Sequence, residues 1–129
     1  MNFTSSILNW YKKNKRDLPW RRNSDPYKVW ISEIILQQTR IDQGLPYYLK
    51  FIKTYPNIIS LSKANEQDIL ILWQGLGYYS RARNLLKTAK TIVKTLNGKF
   101  PDSQVELKKL DGIGEYTASA ISSICFNER

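Results

Sequence analysis

The chain of 129 residues contains no histidine and a single cysteine, Cys125. Without histidine, Ser-His-Asp and Cys-His catalysis and histidine-based metal sites are excluded. One cysteine cannot form an internal disulfide and cannot by itself hold a metal cluster, so we expect no metal site within this chain. These absences exclude the histidine-dependent hydrolases and a self-contained metal centre.

The sequence also lacks any run of about 18 consecutive apolar residues, which a membrane-spanning helix would need. It shows no basic segment followed by an apolar one at its start, the pattern of a secretory leader. From both absences we expect a soluble protein of the cytoplasm that has no membrane partner.

What the chain does have is positive charge, with 20 Lys and Arg against 11 Asp and Glu and a net charge of +9. The charge is uneven, because residues 1–65 hold eleven basic side chains and four acidic ones. Such a surface attracts polyanions, and nucleic acid is the leading candidate. The length and the 42% hydrophobic content fit one compact domain.

The apolar residues of the chain recur every three or four positions, and no stretch alternates with period two. The clearest pattern, 80–96, predicts a helix that Gly98 caps at its C-terminus. We expect Gly44 and Pro46 to break the pattern, with Pro46 starting a new helix. The prediction is an all-α fold, with helices over 3–15, from Pro26 onward, 46–55, 66–74, 80–96, 103–110 and 116–127.

The helix after Pro26 carries one acid, Glu33, among apolar neighbours. Helical spacing predicts one face shared by Trp30, Glu33, Leu36, Gln37 and Arg40. A carboxylate partly removed from water has a raised pKa and is suited to donating a proton. The alternative is a surface glutamate at the edge of a helix.

The segment LDGIGEYTA, residues 110–118, joins two predicted helices through Gly112 and Gly114. Glycine lets an anion approach the backbone N–H groups, and the following helix N-terminus adds partial positive charge. The segment therefore predicts a phosphate site, with an ordinary turn as the alternative.

Four motifs stand in order along nearly the whole chain: LPWR, DPYKVWISEIILQQTR, GLGYYSRARNL and LDGIGEYTASAI. Together they resemble the adenine DNA glycosylase (MutY) branch of the helix-hairpin-helix DNA glycosylases. The resemblance implies the six-helix-barrel part of that fold. Residues 1–129 would form an incomplete glycosylase domain, with the helix-hairpin-helix hairpin at 110–118.

The resemblance also implies roles for individual residues. Glu33 would protonate N7 of adenine, and Arg16, Trp20, Arg21 and Leu36 would line the adenine pocket. Gln38, Thr39, Leu76 and Tyr78 would contact the opposing 8-oxoguanine or wedge into the gap, and Gly112, Gly114 and Thr117 would bind DNA phosphate. Tyr116 stands where bifunctional relatives carry a Schiff-base lysine, so the enzyme would be monofunctional and release the base by hydrolysis.

By the same resemblance, several parts of the enzyme lie beyond residue 129. These are a second catalytic Asp, the four cysteines of a [4Fe-4S] cluster and a domain that senses 8-oxoguanine. We therefore expect the 129-residue chain to be truncated before the iron–sulfur domain and inactive by itself. Hairpin carbonyls could hold a monovalent cation.

The implied partner is double-stranded DNA containing adenine mispaired with 8-oxoguanine or guanine, in base excision repair. The implied setting is the cytoplasm of a bacterium, at the nucleoid when on DNA. We expect a monomer, with self-association if apolar surface is exposed. Two other functions stay open: a non-catalytic helix-hairpin-helix DNA-binding module, and a sister glycosylase for another mispaired base such as thymine opposite guanine.

Overall fold

The computed structural model describes residues 25–36 and 39–126. These residues form seven helices and no strand, so the all-α prediction is confirmed for the described part of the chain. The predicted helix over 3–15 and the last residue of the predicted helix over 116–127 lie outside it. The helices are α1 (Pro26–Leu36), α2 (Ile41–Thr54), α3 (Ile58–Ser62), α4 (Glu66–Trp73), α5 (Tyr79–Leu96), α6 (Gln104–Lys108) and α7 (Glu115–Cys125).

Helix α1 forms the centre of the packing. Pro26 is its first residue, a position where the missing proline N–H is not needed. Just before it, an Asp25 carboxylate oxygen accepts a hydrogen bond from the Tyr27 N–H at 2.9 Å. Val29, Trp30 and most of the following residues are buried, because α1 packs against α2 on one side and α7 on another. A helix that is apolar nearly all round is a core helix.

Helix α1 ends at Leu36, and this corrects the predicted face. Arg40 does not belong to α1; it has extended backbone angles (φ −63°, ψ 148°) and is the N-cap of α2. Its carbonyl accepts from the Gly44 N–H at 2.8 Å. The helical period therefore does not reach Arg40, and Gln37 of the predicted face lies outside the described residues.

The prediction that Pro46 starts a helix was also wrong, because α2 begins at Ile41 and Pro46 lies inside it. Pro46 is the sixth residue of α2, past the first turn, so it has no N–H to donate to the carbonyl four residues earlier. Gly44 is buried rather than in a break, and a Cβ added there would lie 2.5 Å from Leu36 Cδ2. The glycine is needed for the close approach of α2 to the end of α1.

Helix α3 was not predicted, since five residues are too few for a periodic pattern. A capping box forms it. The Asn57 side chain accepts from the Ser60 N–H at 2.8 Å, and the Ser60 hydroxyl accepts from the Asn57 N–H at 3.2 Å. Leu61 of α3 is fully buried where α3 packs against α5.

The other predicted helix ends are close to the observed ones. Asn65 caps α4 by accepting from the Gln67 N–H at 2.7 Å, and Ser103 caps α6 by accepting from the Glu106 N–H at 3.2 Å. At the end of α5, Asn97 and Gly98 both adopt positive φ, and the Gly98 N–H donates to the Ile92 carbonyl at 3.1 Å. The 18-residue α5 buries one face against α3 and α4.

Aromatic side chains fill the core between these helices. Trp30 meets Phe100 edge-on, with ring centroids 5.7 Å apart, and Phe51 meets Trp73 in the same way at 6.2 Å.

Within the described ranges, no helix is long and apolar enough to cross a membrane.

Two core tyrosines predict how stability depends on pH. The Tyr27 hydroxyl donates to the Tyr55 carbonyl at 2.6 Å. Burial, and then the nearby Asp25 carboxylate, raise the pKa of both Tyr27 and Tyr48 well above the usual value. A raised folded-state pKa means that the stabilisation is complete below the unfolded-state pKa of about 10 and is lost as pH rises above it.

We therefore expect the free energy of unfolding to fall steeply above about pH 10, as measured by urea denaturation at a series of pH values. Tyr27→Phe should flatten part of that fall, and at pH 7 should lower stability by about 1 kcal/mol through the lost hydrogen bond. The exposed Tyr79→Phe serves as the control. An unchanged slope in Tyr27→Phe would contradict the assignment.

Candidate functional site

Glu33 is half-buried within a stretch of α1 that is otherwise closed to water. Every other residue from Val29 to Ile35 is buried, and Trp30, one turn earlier, has no exposed surface. The carboxylate therefore lies within the central helix, where access to solvent is limited.

Leu36 and Thr39 lie close together beside this helix end. Both are half-buried, and both face Gly44, whose added Cβ would lie 2.5 Å from Leu36 Cδ2 and 3.4 Å from Thr39 Cγ2. The structure thus brings together Leu36, predicted to line the adenine pocket, and Thr39, predicted to contact the opposing base or fill the gap. The other predicted residues of this region, Arg16, Trp20, Arg21 and Gln38, lie outside the described residues.

The segment 74–78 presents an exposed tyrosine on an unusual backbone. Gly75 and Gly77 have φ of +99° and +80°, and Tyr78 has φ of +53° although it is not glycine. Such a conformation in an aromatic residue is energetically unfavourable and is found mostly where function requires it. The Tyr78 side chain is 62% exposed, whereas Leu76 is half-buried against the core.

Two side chains from the core hold this segment in place. The Trp73 indole N–H donates to the Gly77 carbonyl at 3.0 Å, and the Tyr47 hydroxyl donates to the Gln74 carbonyl at 3.0 Å. Neither residue was expected at the site from the sequence. The contact of Trp73 with Gly77 spans only four residues, so the short separation in sequence could have indicated it. No sequence pattern connects Tyr47 with Gln74.

The hairpin before α7 is fixed to α5 by one hydroxyl. The buried Thr88 side chain donates a hydrogen bond to the Asp111 carbonyl. Gly112 follows with φ of +83°, and a Cβ there would lie 2.8 Å from Thr88 Oγ1. Glycine is therefore required at 112 both by the backbone angle and by the space available.

The N-terminus of α7 is open in a different way. Gly114 is its N-cap with φ −78° and ψ 178°, and no side chain caps this end. A Cβ at Gly114 would meet nothing within 4 Å, so an anion can approach the first N–H groups of the helix. Thr117 as a whole is only 2% exposed, so its hydroxyl faces the interior and not the open helix end.

Two side chains flank this open helix end. Tyr116 is 72% exposed. Glu115 is exposed, with its carboxylate 4.0 Å from Lys108 Nζ. A carboxylate in the first turn stabilises the helix but repels a second anion.

These regions are connected through the helix packing. Helix α7 packs against α1, and Thr88 of α5 holds the hairpin. Tyr78, in turn, is the N-cap of α5. The elements that carry the acid, the exposed tyrosine and the open helix end therefore form one packed unit.

The chain does not fit an iron–sulfur cluster, because its sequence has one cysteine and such clusters need four protein ligands. The described residues also contain no group of three or more His, Cys, Asp or Glu able to hold a metal ion. At the hairpin, the Asp111 and Leu110 carbonyls already accept hydrogen bonds from Thr88 and from the Ile113 N–H. Each carbonyl retains a second lone pair, so the cation stays a prediction.

Comparison with known proteins places this arrangement among DNA repair proteins. Residues 31–125 match the family described as HhH-GPD superfamily base excision DNA repair protein. The adenine DNA glycosylase of Buchnera aphidicola subsp. Baizongia pistaciae is 54% identical over 97% of this chain. The chain spans 36% of the length of that relative.

Solved structures show the same fold. A thermostable thymine-DNA glycosylase superimposes with a TM-score of 0.80 and 29% identity, over 98% of this chain and 58% of that one. An endonuclease III in a non-covalent complex with DNA gives a TM-score of 0.73 over 98% and 62% of the two chains, at 20% identity. The predicted glycosylase fold is thereby confirmed.

The two hairpin glycines should respond differently to substitution. Gly112→Ala places a side chain at positive φ and against Thr88, so we expect the free energy of unfolding to fall by about 2–4 kcal/mol. Gly114→Ala meets open space, and as an N-cap change should lower it by at most about 1 kcal/mol. Urea denaturation of both variants tests this difference, and equal losses would contradict it.

Proposed function

We propose, since this chain belongs to the HhH-GPD superfamily of base excision DNA repair proteins, that it is part of an adenine DNA glycosylase. The proposed reaction is hydrolysis of the bond between adenine and deoxyribose where adenine is mispaired with 8-oxoguanine or guanine. The observation that supports this proposal most strongly is the 54% identity with an adenine DNA glycosylase over nearly the whole chain.

In the proposed mechanism, Glu33 is the general acid. Its half-buried carboxyl group would donate a proton to N7 of adenine, and the protonated base leaves more easily as the glycosidic bond breaks. Adenine leaves as a neutral base, and water adds to the cationic sugar carbon and gives up a proton to the Glu33 carboxylate. Leu36 and Thr39 lie beside the end of the same helix and would contact the adenine and the opposing base.

Removal of a base from duplex DNA requires that the base leave the stack, which leaves a gap to be filled. Tyr78 would fill the gap with its exposed ring, supported by Leu76. The glycine-rich backbone before Tyr78 is braced by Trp73 and Tyr47, so this wedge is formed before DNA binds.

Tyr116 bears on the type of glycosylase. It lies exposed in the first turn of α7 and has no amine, so it cannot form a Schiff base with the sugar. The proposed enzyme is therefore monofunctional and releases adenine without cleaving the strand. In the full-length protein, a [4Fe-4S] cluster would be held by residues outside this chain.

The hairpin would bind the DNA backbone. Gly112 allows the turn at positive φ, Gly114 leaves room for a phosphate, and the backbone N–H groups from Gly112 through Thr117 would donate to it. A monovalent cation on the hairpin carbonyls would add positive charge there. The net charge of +9 favours the same polyanionic partner.

Substitution of the proposed acid tests the mechanism in the intact protein. Glu33→Gln removes the proton donor with almost no change in shape, so single-turnover adenine release should fall by about 10²- to 10⁴-fold. The dissociation constant for an A:8-oxoguanine duplex should change by less than about tenfold. The exposed Glu66→Gln, which removes the same charge elsewhere, should leave both values near wild type.

A panel of duplexes separates the alternatives. The same assay with A:8-oxoguanine, A:G and T:G mispairs identifies the released base, and the 29% identical thymine-DNA glycosylase makes thymine the relevant competitor. Faster release of thymine than of adenine would establish a sister glycosylase. Salt-sensitive duplex binding without release of any base would establish a DNA-binding module.

The acidic hairpin residue gives a test of the phosphate site. Glu115→Gln should raise duplex affinity by about two- to fivefold at low salt, because a repulsive charge leaves the helix N-terminus. The gain should shrink at high salt, since exposed charges are screened. Fluorescence anisotropy at two salt concentrations measures this effect, with Glu106→Gln as the control. Equal gains in the two variants would show a net-charge effect and not a local site.

A further inference from the structure

We propose that Arg81 is a positioning residue that fixes the Tyr78 ring in the orientation in which it enters the DNA stack. The role of the Tyr78 ring in DNA rests on the proposed function. The contact between Arg81 and Tyr78 is present in the protein without DNA.

The geometry that supports this proposal is a cation stacked on the exposed ring. The Arg81 guanidinium carbon lies 5.0 Å from the centroid of the Tyr78 ring. Within this distance a guanidinium is attracted to the face of an aromatic ring. The Arg81 N–H also donates to the Tyr78 carbonyl at 2.9 Å, so backbone and side chain both connect the two residues.

Tyr78 requires such a contact because its other restraints act on the backbone. Trp73 and Tyr47 hold the carbonyls of Gly77 and Gln74, and neither hydrogen bond involves the ring. A ring that is 62% exposed would otherwise sample several rotamers and lose that freedom on entering the stack. With the Arg81 guanidinium over one face, the ring is restricted to fewer rotamers.

Arg83 provides a matched control on the same helix. It is exposed like an ordinary surface arginine, and its Nε lies 4.0 Å from a Glu66 carboxylate oxygen. Arg81→Gln and Arg83→Gln therefore remove the same charge two residues apart. A general loss of attraction for DNA affects the mispaired and the matched duplex alike in either variant, so a difference between the variants in mispair preference reports on the ring.

The first measurement uses the intact protein without DNA. In NMR spectra, the Arg81 side-chain protons should be shifted upfield by the ring current of Tyr78. Tyr78→Leu should abolish that shift, and Tyr79→Leu should retain it. Absence of the shift in the wild-type protein would overturn the proposal, whatever the protein does with DNA.

The second measurement uses a duplex with 2-aminopurine beside the mispair, whose fluorescence rises when the stack opens. Arg81→Gln should reduce the preference for the mispaired over the matched duplex by about two- to fivefold, as expected for an exposed cation–π contact. The fluorescence rise should fall in parallel. Arg81→Lys should restore part of the mispair preference and part of the fluorescence rise. Arg83→Gln should weaken binding to the mispaired and the matched duplex equally.

The outcomes distinguish the two proposals. Equal effects of Arg81→Gln and Arg83→Gln on mispair preference would overturn the positioning role, because only the charge would then matter. A wild-type protein with the ring-current shift but without mispair preference would refute the proposed function and leave the Arg81–Tyr78 contact established.

Discussion

The burial of α1 is the constraint on which the rest of the described structure depends. This helix packs against α2 and α7, and its apolar residues leave Glu33 as the one residue between Val29 and Ile35 that retains partial access to solvent. Burying so much apolar surface is the main source of stability. The same packing fixes the position of the carboxyl group and limits its contact with water, so core formation and the proposed chemistry have one physical cause.

Two glycine-containing segments extend from this core, and each is held by side chains that bond to its backbone. Trp73 donates to the Gly77 carbonyl, and Thr88 donates to the Asp111 carbonyl. Glycines give a segment many accessible conformations, and each such bond favours one of them. The protein can therefore present an exposed tyrosine and an open helix end at fixed positions, which recognition of a distorted duplex requires.

Much of the fold could be predicted from local patterns. The long α5 follows directly from its apolar spacing, and Asn65 and Ser103 mark helix starts that the structure confirms. The errors came where tertiary contacts override a local signal. Gly44 and Pro46 read as a break, but both lie inside α2, where Gly44 packs against Leu36, and Arg40 is the N-cap of this helix.

The sequence by itself determined the helical class, the basic charge and the residue types available for chemistry, since these depend on composition and on neighbours within a few positions. Tertiary structure decided the rest. Packing of neighbouring helices sets the partial burial of Glu33. Two hydrogen bonds, from Tyr47 to Gln74 and from Thr88 to Asp111, join residues far apart in the chain. Only packing brings such residues together, because no local propensity encodes a contact across 23 or 27 positions.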